Sequence, residues 1–419
     1  MSSVNIQTDL TRMAAALDQV EVIDLVSFGS CISPEYLLML LAQADLGARR
    51  FGFVGTSLPG NGWTGGLNHV LLAQRARWII GGFYATVRHA GVQADAGGLS
   101  VVNFPQGVMA KLLTCADRRH TCPIGVDTFI DPDRRAGVIA LHDPKLAGLG
   151  DLVSNASAGL LTYHLPQSQA VFLRAAGRTA GGAIVAETDP VDLDACAVAK
   201  AAHARGARLF IQVPAGVILP DTIQIIETTD SDLVFDAPTD LHTLGFFPNR
   251  YLRPEAAPHG RRGAIVDRLG AQILPRIADG DQLIVGIGLP VAVLQTLDGR
   301  HRGTVNVESG NIGGTPLDGT GFGYNIGADR RISQLQMFER IWSGAVNHAV
   351  LGIGAKDANG TMNVARLGKN LNGVGGFIDI SQSLPKISFC GARKDIVPPL
   401  SDWHCFTPCD GKDIAMLEA

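Results

Sequence analysis

Short apolar runs that break at glycine and lead into amphipathic stretches recur along the chain, and two of them echo each other. IDLVSFGSCISPEYLLMLL, from Ile23, and DQLIVGIGLPVAVLQTL, from Asp281, each predict a buried strand, a glycine-containing turn and a helix. Proline stands in the first helical turn of both, Pro34 or Pro290, where a missing amide proton costs nothing. Between and beyond them the elements alternate: ACAVAKAAHARG from Ala195 has helical spacing, and RLFIQVP from Arg208 is an apolar run of strand length. AVLGIGAKDANGTMNVA, from Ala349, predicts two strands joined through Asn359-Gly360, because both residues tolerate positive φ. A second echo pairs LSVVNFPQG, from Leu99, with GTVNVESGNIGG, from Gly303. Each is an alternating strand that ends in a polar turn.

These patterns predict an α/β protein of two similar open-sheet domains, duplicated about a pseudo-twofold axis, with its active site in the cleft between them. FPNRYLRPEAAPHGRR, residues 247–262, mixes proline, charge and glycine without apolar periodicity and divides the chain into domains 1–246 and 263–419. Immediately after it, Ala264 to Ile277 has helical spacing, with Pro275 expected to end the helix. In the pseudo-twofold arrangement the two polar turns of the second echo face one another, which brings Gln106 towards Glu308.

Composition narrows the function. A chain of 419 residues with 46% hydrophobic and 18% charged residues buries large cores and is neither disordered nor a solvated tail. Its net charge of -4 supplies no basic field for nucleic acid. The seven cysteines are odd in number and scattered, as in reduced proteins, and no apolar run is long enough to span a bilayer. The first residues lack a secretory pattern, since Asp9, Asp18, Glu21 and Asp24 interrupt them, so a cytoplasmic protein without nucleic-acid or membrane partners is expected.

Most chemical motifs fail on spacing. GIGLPV from Gly286 and GIGAKD from Gly352 have two glycines of a dinucleotide fingerprint but lack the third. His120 with Cys122, and the WHCFTPC segment from Trp403, lack the paired spacing of a zinc site, so no metal is expected. Ser309 and Ser343 lack a nucleophile elbow, and His89 stands alone in VRHAG as a base. Glu308 is different: in VNVESGNIGG it sits where a strand meets Gly310, Gly313 and Gly314, a setting in which the backbone bends tightly and can present a carboxylate.

Around Glu308, an ordered set of segments resembles the class I coenzyme A transferases, especially the single-chain acetate and short-chain acyl type. They are FPQGVM (104–109), TFIDP (128–132), GIGLP (286–290), VESGNIGG, FGYNIGA from Phe322, LGIGAKDANGTMNVAR and GVGGFIDISQ (373–382). Singly they are weak, but their order and spacing are specific. By this resemblance, Glu308 is the catalytic glutamate, which attacks an acyl-CoA thioester and carries CoA as a glutamyl thioester in a ping-pong cycle. Gln106, Gly375 and Gly376 match positions that contact the reacting acyl group or supply an amide beside the glutamate, and Phe28 and Gly29 match a first-half loop near the acyl pocket. Gly286, Gly288 and Lys369 are expected to meet CoA, with Lys356 and Arg366 nearby. The resemblance implies acyl-CoA and carboxylate substrates, CoA as substrate with no tightly bound cofactor, and a homo-oligomer. The chain departs from the family at SGAVNHAVLG from Ser343, at LRAAGRTAGGAIVAETD before the Cys196 helix, and in ending at Ala419 short of a further tail. Those departures leave acid specificity open, and keep an acyl-CoA hydrolase and a non-catalytic CoA-binding relative as alternatives.

Overall fold

The computed structural model describes residues 5–147, 152–221, 224–244, 260–297, 299–391, 401–409 and 411–418. Its architecture is α/β, with two large sheets. In the first, Leu233–Ala237, Arg208–Pro214, Ala170–Thr179, Val22–Phe28, Phe51–Ser57, Ala76–Phe83 and Ser100–Asn103 run parallel in that spatial order. Val138–Ala140 closes one edge antiparallel. Val22–Phe28, Phe51–Ser57 and Ser100–Asn103 are buried along their whole length, so their sequences do not alternate between apolar and polar positions. The charged residue in Val22–Phe28 is Asp24, fully buried among Arg118, Arg205 and Ser168, all of which donate to its carboxylate.

The second sheet orders Thr304–Asn306, Gln282–Val285, His348–Gly352, Lys386–Gly391 and Asp413–Glu418, all parallel. Asn311–Ile312 and Arg330–Arg331 extend it antiparallel past Thr304–Asn306. The first echo is present in space. Val22–Phe28 turns at Gly29 into helix Glu35–Gln43, and Gln282–Val285 turns at Gly288 into helix Leu289–Thr296. Pro290 lies in the first helical turn, whereas Pro34 stands one residue earlier, at the cap.

In the second echo the two strands hold different places. Ser100–Asn103 is three strands from Val22–Phe28, whereas Thr304–Asn306 pairs directly with Gln282–Val285. Sequence similarity over so few residues reports strand and turn but not rank in a sheet. Residues 247–259 of the expected linker lie outside the described residues, and helix Gly260–Ile273 begins three residues inside it. That helix passes into a single tight turn, Leu274–Arg276, at Pro275. The Asn359-Gly360 turn closes a hairpin that pairs Ala355 with Asn363 and Lys356 with Met362.

The two halves pack through interleaved elements. Helices Gln106–Thr114 and Gln334–Trp342, one from each half, lie side by side, and Tyr84 N–H donates to Asn372 O at 2.7 Å. This contact sets the ends of the first sheet's strands against the glycine turn at 373–376.

Candidate active site

Glu308 occupies the bend between Thr304–Asn306 and Asn311–Ile312, closed by Val307 N–H to Asn311 O at 3.0 Å and Gly310 N–H to Val307 O at 2.9 Å. Gly310 is required there. Its φ is +108°, and a Cβ would stand 1.9 Å from Ile332 O. Ser309 Oγ and Asn311 Nδ2 both donate to Gly323 O, so the bend is fixed from below as well. A strand end pinned in this way fixes the position from which Glu308 projects.

Two partners from opposite halves hold the carboxyl. Gln106 opens helix Gln106–Thr114, and its Nε2 donates to Glu308 Oε1 at 3.1 Å. Gly376 N–H lies against the same carboxyl and draws its pKa down, and a Cβ on Gly376 would lie 2.2 Å from Oε2, so only glycine lets the backbone approach. The turn that carries Gly376 is anchored on the first half. Gly375 N–H donates to Gly82 O at 3.0 Å, Val374 N–H to Asn103 Oδ1 at 2.9 Å, and Gln106 N–H to Gly375 O at 2.9 Å. Gly373 and Gly375 have φ of +74° and +52°, the left-handed region that glycine enters without strain.

The carboxyl faces a cavity of about 400 Å³, whose walls come from both halves: Phe28, Phe83 and Thr86 from one, Phe322, Leu351 and Phe377 from the other. Glu308 retains some accessible surface toward that space, yet protein atoms close around its carboxyl. Burial therefore pushes its pKa up from 4.5 to about 7, against the opposing pull of the Gln106 and Gly376 donors.

Of the residues expected from sequence, Glu308, Phe28, Gly29, Gly286, Gly375 and Gly376 line this cavity, and Gln106 reaches it through Glu308. Gly288 and Lys369 do not line it. Gly288 caps helix Leu289–Thr296 with φ +84° and donates its N–H to Asp318 Oδ1 at 2.9 Å. Lys369 is exposed on the hairpin turn between Arg366–Leu367 and Asn370–Leu371. Arg366 is drawn away by an ion pair with Asp95. His89 lies outside the lining, edge-on to exposed Trp63, with Nε2 3.1 Å from that residue's carbonyl oxygen.

One neighbour was missed. Asp379, in the first turn of helix Phe377–Ser383, is fully buried, accepting from Gly107 N–H at 3.1 Å and Trp342 Nε1 at 3.2 Å. It thereby ties the helix that starts at Gln106 to the helix that follows Gly376. Burial first, and the Glu308 charge to a lesser degree, push its pKa up to about 8. The only sequence signal was an acidic residue inside the apolar stretch FIDIS.

The paired open sheets, with a carboxyl held between the two halves, match the fold of solved coenzyme A transferases. The chain superposes on the crystal structure of the acyl-CoA transferase YdiF apoenzyme from Escherichia coli O157:H7 with a TM-score of 0.76 at 21% identity, covering 91% of this chain and 76% of that one. A YdiF thioester complex with CoA gives 0.74 at 20% identity, covering 92% and 81%. No protein-family model matches the chain. In sequence it is 26% identical over 336 residues to the acetate CoA-transferase YdiF of Escherichia coli K12, covering 75% of this chain and 62% of YdiF. It is also 26% identical over 315 residues to the caffeate CoA-transferase of Acetobacterium woodii, covering 69% and 59%. The chain thus spans less than two thirds of the length of these curated relatives. In sequence and in fold the chain is thus similar to coenzyme A transferases of the YdiF type. Among the described residues, no helix is long and apolar enough to cross a membrane.

Proposed function

We propose that this protein transfers CoA from an acyl-CoA to a carboxylic acid through Glu308. The observation that carries the proposal is a buried carboxyl at the floor of an apolar interdomain cavity, held by Gln106 Nε2 and Gly376 N–H.

The ionised Glu308 attacks the thioester carbonyl. The C–S bond breaks, CoA departs as the thiolate, and a mixed anhydride links Glu308 to the acyl group. The thiolate then attacks the glutamyl carbonyl, releases the donor acid as its carboxylate and leaves CoA on Glu308 as a thioester. An acceptor carboxylate reverses the sequence, so the thioester energy is kept throughout. Each step passes through a tetrahedral oxyanion, for which Gly376 N–H and Gln106 Nε2 are preorganised donors, each contributing about 3 kcal/mol in comparable sites. Burial serves the cycle twice. It raises the nucleophilicity of an otherwise weak carboxylate, and it keeps water from the anhydride and thioester.

The chemistry of the proposed cycle needs acyl-CoA and carboxylate substrates and no tightly bound cofactor. We place it in the cytoplasm as a homo-oligomer, each chain of two domains, 1–246 and 263–419; seven unpaired cysteines agree with a reducing compartment. Mixing the protein with acyl-CoA alone, followed by peptide mass spectrometry, tests the mechanism. A CoA-sized adduct is expected on the peptide that contains Glu308 and is expected to be absent in Glu308→Ala. An unmodified peptide with acceptor-independent CoA release would instead establish direct hydrolysis by water.

A further inference from the structure

We infer that the acids exchanged at Glu308 carry one carboxyl group on an apolar body larger than that of acetate, and that dicarboxylates are excluded. This inference rests on the transferase reading and adds the substrate class to it.

Charge decides the first part. Among the described residues that line the cavity, Glu308 is the only ionisable side chain. The polar remainder is Ser30, Ser57, Thr86 and Asn372. Two of those hydroxyls are already committed: Ser30 Oγ donates to Gly60 O at 2.6 Å and Thr86 Oγ1 to Leu58 O at 2.7 Å. A second carboxylate on the acyl group or on the acceptor would therefore enter a low-dielectric space whose described lining carries no cationic side chain. It would also stand near a carboxyl that must itself ionise. A buried, unpaired charge of this kind is disfavoured by more than contact with the carbon chain returns. A site built for a dicarboxylate would place an arginine or lysine in this wall.

Shape decides the second part. Phe28 and Phe322 stack with ring centroids 6.4 Å apart, and Phe28 lies over Gly323, where a Cβ would come within 2.6 Å of its ring. With Phe83, Leu351 and Ile353 they give the cavity an apolar lining of about 400 Å³, within the range that houses small organic ligands. A methyl group would leave much of that surface uncovered even beside the thiol arm of CoA. A branched aliphatic or aromatic body would cover it, and each added methylene that finds contact is worth about tenfold or more in specificity.

The test is the single-turnover rate of glutamyl-CoA formation, followed as the CoA adduct on the wild-type protein. The donors are acetyl-, isobutyryl-, benzoyl-, succinyl- and malonyl-CoA. Isobutyryl- or benzoyl-CoA is expected to exceed acetyl-CoA by about tenfold or more. Succinyl- and malonyl-CoA are expected to fall about 100-fold or more below isobutyryl-CoA. Adduct formation from succinyl-CoA as fast as from isobutyryl-CoA would overturn the exclusion of a second charge. Acetyl-CoA as the fastest donor would overturn the argument from size. In both of those cases the adduct would still support the transferase reading, whereas no adduct from any donor would remove that reading and the inference with it.

Discussion

Replacing Glu308 with glutamine separates the cost of burying this carboxyl from its use. The group titrates near 4.5 when unfolded and about 7 in the folded protein. A raised carboxyl pKa contributes stability that is fully present below the unfolded value and is lost as pH rises through the folded one. The full loss, reached above pH 7, is about 3 kcal/mol. Glutamine never ionises and so never incurs this loss. It does give up one accepted hydrogen bond, because Gln106 Nε2 and Gly376 N–H both donate to the carboxyl and an amide has one oxygen; that costs about 1 kcal/mol. Glu308→Gln is therefore expected to match the wild type in stability near about pH 5 and to exceed it by about 2 kcal/mol near about pH 8.5. Urea denaturation of both proteins at the two pH values measures this directly. Comparison at the same pH cancels most other titrations, including that of Asp192, which burial pushes up to about 6. Asp379 is the group that can couple, because the Glu308 charge contributes to its raised pKa. A stability difference that stays constant between the two pH values would refute the claim that the carboxyl is desolvated. In the same experiment, wild-type adduct formation is expected to fall as pH drops below about 7, whereas an ordinary exposed glutamate would hold its rate to near its usual 4.5.

Two further substitutions probe what holds the carboxyl. Gly376→Ala places a methyl 2.2 Å from Glu308 Oε2, so adduct formation should drop by a factor of about 100 or more while circular dichroism stays native. A variant with near-normal rate would show that the close approach is dispensable. Asp379→Ala leaves Gly107 N–H and Trp342 Nε1 without their acceptor, which should lower unfolding stability by roughly 2 kcal/mol or more at about pH 4, where the carboxyl, pushed up to about 8 by burial, stays protonated and its ionisation does not enter the comparison. Unchanged stability in urea would mean that water takes the vacated place.

What the sequence by itself determined was local: strands where apolar runs end in glycine, a helix over Ala264 to Ile277 (observed as Gly260–Ile273), the Asn359-Gly360 hairpin, and an acidic residue set in a glycine-rich bend. Each follows from φ/ψ preference and periodicity over a few residues, which a linear pattern records. Resemblance in motif order added a likeness to coenzyme A transferases and the expected pairing of Glu308 with Gln106 and the 373–376 turn, and the fold brings these groups together. The tertiary structure alone decided the rest. Gly288 became a cap facing Asp318, Lys369 fell outside the cavity, and Asp379 emerged as the link between two helices more than 200 residues apart in sequence. The rank of Ser100–Asn103 and Thr304–Asn306 within their sheets was likewise invisible in their similar sequences. The physical reason is common to all of these. Desolvation, charge proximity and the fit of a backbone against a side chain depend on what the other half of the chain brings within a few ångströms, and no local stretch encodes that distance.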